Sequence, residues 1–141
     1  MSEIPKDEGL KGNETIEEAI ALFKEKKTNE NYAYALTTIR NRMKAKGEFV
    51  IGVDSSSVAG VIKPQVLSTE DGKLWWAAFT SFDEELKGVK DGSRVMSTFL
   101  TDIGKLFDAS MQESTIAGII LNPWGENLLL NKMILSVIIG E

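Results

Sequence analysis

The chain predicts an α/β (α+β) sandwich: a mixed β-sheet with an N-terminal helical hairpin and further helices packed on it. Three observations carry this. Apolar residues recur at helical spacing through residues 15–43, and the period then shortens to compact β-branched and aromatic runs from residue 49. After that, strand-like and helix-like stretches alternate to the end, giving the order α-α-β-β-β-α-β-(β)-α.

The first dozen residues are polar, hold Pro5, Gly9 and Gly12, and read as a flexible tail before one domain over residues 13–141. Thr15 with Glu18 makes a capping-box pattern, and Ile16, Ala19, Ile20 and Phe23 keep helical spacing to about Lys27. Asn13-Glu14-Thr15 also matches a glycosylation sequon, for which helix capping is the simpler use. Thr28 and Asn29 suit the cap of a second helix, whose stripe is Tyr32, Ala35, Leu36, Ile39 and Met43 before Gly47 stops it.

"FVIGV", residues 49–53, reads as a buried strand. "VIKPQVLS" and "KLWWAAFT" flank "TEDG", where Asp71-Gly72 signals a hairpin turn; Pro64 cannot donate to a ladder, so the first arm is expected at a sheet edge or paired only after the proline. In the second arm Trp75, Ala77 and Phe79 face one way, and Leu74, Trp76 and Ala78 the other. A third long helix is expected after "KDGS", with Val95, Met96, Phe99, Leu100, Ile103, Leu106 and Phe107 at helical spacing. "IAGIIL", residues 116–121, is a further strand; Pro123 biases Asn122 towards an extended conformation that ends it. Residues 128–130 suit a very short strand, and Asn131 caps a last helix through Ile139.

Composition excludes several kinds of chemistry. The 141 residues contain neither histidine nor cysteine, which removes the Ser-His-Asp triad, the Cys-His pair, thiolate metal sites, disulfides and imidazole-ligated metals. A net charge of -5 repels phosphate backbones and anionic membranes, so neither nucleic acid nor membrane is an expected partner. The basic stretch Arg40, Arg42, Lys44 and Lys46 reads as a solvated helix end. No signal-peptide core and no membrane-spanning run is visible, which makes the cytoplasm the expected location. No phosphate-binding glycine pattern occurs, and no cofactor is implied. "DSSSV", from Asp54, fails as a cation loop because Val58 takes a ligand position, leaving a serine turn. The carboxylate pairs Glu70-Asp71 and Asp83-Glu84-Glu85 are better read as solvated or helix-capping groups than as acid-base machinery.

What remains is a rim. If the strands ending at Val53, Thr80 and Asn122 run parallel, their loops share the ligand-binding edge usual in open α/β sheets. That rim would offer Asp54, Thr80, Ser81, Asp83, Asn122, Trp124 and Asn127. A plainer reading has Thr80 or Ser81 capping a helix from Phe82, Asn122 tying its own turn and Trp124 covering the sheet end.

"LWWAAFTSFDEEL" and "IAGIILNPWGENLLL", with the paired helices before "FVIGV", resemble the SseB protein N-terminal domain family, a bacterial group named after an enhanced serine sensitivity protein. The likeness runs from about Asn13 to Ile139. It implies an α/β domain in a bacterial cytosol and brings no established catalytic residue or cofactor; a type III secretion translocator shares only the name.

The expected function is therefore a non-enzymatic protein-interaction or regulatory module with a protein partner. The rival is a small-molecule sensor or hydrolase-type site at the Thr80/Ser81 and Asn122/Trp124 rim. A homodimer is a third expectation, because Trp75 and Trp76 put apolar surface on both faces of one arm.

Overall fold

The computed structural model describes residues 5–54, 64–87 and 96–140. Helix α1 (Glu14–Glu25) and helix α2 (Asn29–Lys44) form the expected hairpin. Thr28 caps α2, its side chain accepting from the Asn31 N–H. The capping box at Thr15 is not used: the helix starts one residue earlier, and the Thr15 hydroxyl donates to the Gly12 carbonyl at 2.6 Å. The stretch expected to be a tail contains a 3-10 helix (Pro5–Leu10), and the Gly9 carbonyl accepts from Arg42 Nη2 at 3.0 Å.

Strand β1 (Glu48–Asp54) follows, then the short β2 (Val66–Ser68) and β3 (Leu74–Ala78), closed by a turn at Asp71-Gly72 in which Gly72 takes a φ of 86°. Helix α3 (Phe82–Leu86) is brief. Val95, the first residue of the predicted helix, lies outside the described residues, and the rest of that helix is instead strand β4 (Met96–Asp102) followed by helix α4 (Ile103–Gln112). Asp102 divides them: its carboxylate accepts from the Lys105 N–H at 3.0 Å and caps α4. Upstream of it, Thr98, Phe99, Leu100 and Thr101 pair with β1, in the register Phe49↔Thr101 and Ile51↔Phe99. The apolar spacing is compatible with a helix; the β-branched threonines and the need of β1 for a partner decide for strand.

Strands β5 (Gly118–Leu121) and β6 (Leu128–Asn131) and helix α5 (Lys132–Ile139) complete the chain, with Asn131 capping α5 as expected. The sheets are mixed: β2-β3-β5-β6, in which only β3 and β5 are parallel, and an antiparallel β1-β4 ribbon. A two-bond bridge between Val50 and Phe79 joins β1 antiparallel to the end of β3. The expected parallel trio is thereby overturned, since β1 enters the rim at Glu48 and leaves at Asp54 on the opposite end.

The main core gathers Ile16, Ile20, Ile39, Phe49, Trp76, Phe107, Ile119, Leu130 and Leu135, with α1, α2, α4 and α5 covering one face of the strands. Val50, Ala77 and Phe79 form a smaller cluster on the other face. Trp75 and Trp76 are 6% and 5% exposed in the single chain, so neither asks for a second copy to cover it. No described helix is long and apolar enough to cross a membrane.

Candidate functional site

Parallel pairing of β3 with β5 brings Thr80 beside Asn122. Both are buried, at 0% and 2% exposure. The Thr80 N–H donates to Asn122 Oδ1 at 2.9 Å, and Asn122 Nδ2 donates back to Thr80 Oγ1 at 3.1 Å. The Asn122 N–H continues the ladder to the Ala78 carbonyl at 2.8 Å. Asn122 is not extended as expected before proline: its φ is 53°, a left-handed conformation that asparagine tolerates better than most residues. That backbone reversal turns its amide back onto Thr80.

The network widens through residues that sequence reasoning did not place here. Thr80 Oγ1 donates to Glu17 Oε2 at 2.5 Å, from the first turns of α1. Asn13 Nδ2 donates to the Thr80 carbonyl at 3.1 Å and to the Glu48 carbonyl at 2.8 Å. Its Oδ1 accepts from Arg42 Nε at 2.8 Å. Asn13 is thus a tertiary staple between α1, β1 and β3, and its side chain makes no helix cap. Arg42, read as part of a solvated helix end, is half-buried in this network, while Lys44 and Lys46 are exposed as expected. A polar residue with i-to-i+3 capping company gives no sign from sequence that it will be used at long range instead.

The other rim residues do not converge on this pair. Ser81 caps α3, its hydroxyl accepting from the Glu84 N–H at 3.2 Å. Asp83 is exposed in the first turn of α3 and lines a shallow cleft of about 360 Å³ with Leu10, Lys11, Glu14, Ser81 and Phe82; Asn122, Trp124 and Asn127 are not among its walls. Asn122-Pro123-Trp124-Gly125 is a tight turn closed by the Gly125 N–H on the Asn122 carbonyl at 3.1 Å. Gly125 packs against α3 so closely that a Cβ there would sit 2.7 Å from Glu84 Oε1. Glu84 Oε2 accepts from Lys87 Nζ at 2.9 Å, and this bond holds the lysine above its ordinary pKa. Trp124 is 40% exposed at the turn's tip, and Asn127 is half-buried outside the network. Asp54 lies at the far end of β1, paired with Met96. The rest of the "DSSS" loop lies outside the described residues.

Thr80 and Glu17 form the nucleophile-and-base pairing that covalent catalysis requires. A substrate cannot reach it. Thr80 is fully buried, its hydroxyl proton is committed to Glu17 and its oxygen accepts from Asn122. The arrangement does what a satisfied buried polar network does: it fixes one packing of the surrounding elements.

No match was found. No family model fits the chain, and neither a curated protein nor a solved structure is similar to it at the level of a match.

Proposed function

We propose that the chain is a non-enzymatic interaction module that docks an extended segment of a protein partner along the open edge of β6. The observation that carries this reading is the strand edge itself, with exposed apolar residues near it. Leu129 is 43% exposed on the face of β6 turned away from the helices, and Met133 and Val137, 74% and 55% exposed, lie one turn apart on α5, which follows β6 in the chain. Strand β6 is the last of its sheet, and among the described residues no strand pairs with its outer side. The Lys132 N–H bonds the Ala117 carbonyl, which fixes the ladder phase: Leu129 is in a non-bonded pair with Ile120, so its own N–H and C=O face outward. Free backbone groups beside exposed apolar side chains are what β-strand addition uses.

The absence of histidine and cysteine, and the closure of the Thr80–Asn122 rim, both weigh towards binding and away from turnover. The resemblance to the SseB N-terminal domain family fits this reading and supplies its proposed setting, the bacterial cytoplasm. The β6 strand of a second copy, paired across a two-fold axis, is one form such a partner takes. A photo-crosslinker placed at Met133, and for comparison at Trp124, tests the proposal in cells. Adducts of discrete mass from position 133 alone support it, and their mass separates a second copy from another protein; adducts from 124 alone, or from neither, contradict it.

A further inference from the structure

A second feature lies away from both the rim and the β6 edge. Between the β1-β4 ribbon, β3 and α4 is a cavity of about 290 Å³ walled by Ile51, Pro64, Trp76, Phe99 and Leu106, with Lys105 and Ala109 exposed on α4 beside it. The volume is just below the roughly 300–1,000 Å³ of small-molecule sites, and the composition matches theirs: apolar and aromatic walls with few polar groups. Those polar groups are unbalanced. Among the described residues the Trp76 indole N–H has no acceptor, and Lys105 Nζ has no ion-pair partner although Asp102 and Asp108 lie one turn away on either side along α4. Both groups only donate, while the Thr101 hydroxyl in the same wall donates or accepts.

Apolar walls and uncommitted donors, one of them cationic, select a ligand with a small hydrophobic body and an anionic acceptor. We infer that this cavity binds a small aromatic or aliphatic monocarboxylic acid, its body against Trp76 and Leu106 and its carboxylate on Lys105. A phosphate ester would bring a second negative charge that one lysine does not neutralise in a molecule of net charge -5. A long acyl chain exceeds the volume.

The probe is phenylacetate, with phenylacetamide as its neutral counterpart, titrated into the ¹⁵N-labelled full chain while the Trp76 indole resonance is followed. Phenylacetate moves that resonance saturably in the low-millimolar range or below. The amide binds about tenfold more weakly, and Lys105→Ala weakens phenylacetate by a similar factor, as the loss of one charge-assisted contact requires. Because Lys105 is exposed, the variant keeps its fold, which its spectrum verifies directly. Ala109→Phe, which narrows the entrance, abolishes the shift. A Trp76 resonance unmoved by phenylacetate, equal binding of acid and amide, or unchanged binding by folded Lys105→Ala would each overturn the inference.

Discussion

Thr80 and Asn122 clamp each other by two reciprocal hydrogen bonds, backbone N–H to side-chain carbonyl at 2.9 Å and amide to hydroxyl at 3.1 Å. The clamp joins the ends of two parallel strands that are 42 residues apart in sequence. Thr80→Val keeps the shape of the side chain but strands the Asn122 amide and the Glu17 carboxylate. Loss of a buried partner costs about 1–3 kcal/mol, and a double-mutant cycle with Asn122→Ala yields a coupling of about 0.5–3 kcal/mol. Denaturant unfolding measures both; additive effects would mean that the two residues do not act as a unit.

The division of residues 96–107 at Asp102 has its own test. Asp102→Ala removes the α4 cap and lowers stability by about 1 kcal/mol, whereas Asp102→Asn or Asp102→Ser retains most of it. If Asp102→Ala is neutral in thermal unfolding, the carboxylate does not set the start of α4.

Much of this was legible beforehand, and the failures have definite causes. The α1-α2 hairpin, the Asp71-Gly72 turn and the Asn131 cap each rest on chemistry within a few residues, and sequence reports it. The β4–α4 boundary was hidden because Met96, Phe99, Leu100 and Ile103 satisfy helical spacing while serving a strand and then a helix. Strand direction was hidden altogether: nothing in "FVIGV" says that β1 runs against β3, and this single fact removes Asp54 from the rim. Of the rim residues, Thr80 and Asn122 do meet, but what completes their site is Asn13, Glu17 and Arg42, whose long-range bonds have no local signature.

Gly118 faces Asn131 across the β5-β6 ladder, and a Cβ on it would collide with the Leu130 carbonyl oxygen and lie 2.8 Å from the Asn131 Cα. Both are backbone atoms, so no side-chain rotation relieves the clash. Gly118→Ala therefore destabilises by about 1–3 kcal/mol despite adding one methyl group. A variant as stable as the parent would show that β6 can shift away without loss.

Glu85 provides a pH-dependent check. Burial raises its pKa, and the Thr98 hydroxyl, donating at 2.9 Å, offsets part of that rise. A carboxyl whose pKa is higher folded than unfolded stabilises the fold in its protonated form, and that stabilisation is lost as pH rises through the raised value. At neutral pH the charge is a net cost. Glu85→Gln, which leaves an oxygen for Thr98, is at least as stable as the parent at pH 7, and its advantage shrinks as pH falls into the carboxylate range. A less stable variant at pH 7 would contradict the assignment.

The β6 edge is tested most directly by removing its outward N–H donor at residue 129 while leaving the ladder to β5 intact. Leu129→Pro does this, because the proline takes the place of an N–H that faces away from β5. Carried in a chain with the photo-crosslinker at Met133, it is expected to fold with its helical signal unchanged and to lose the adduct, while Leu129→Val keeps it. An adduct that persists undiminished in folded Leu129→Pro would contradict strand addition at β6.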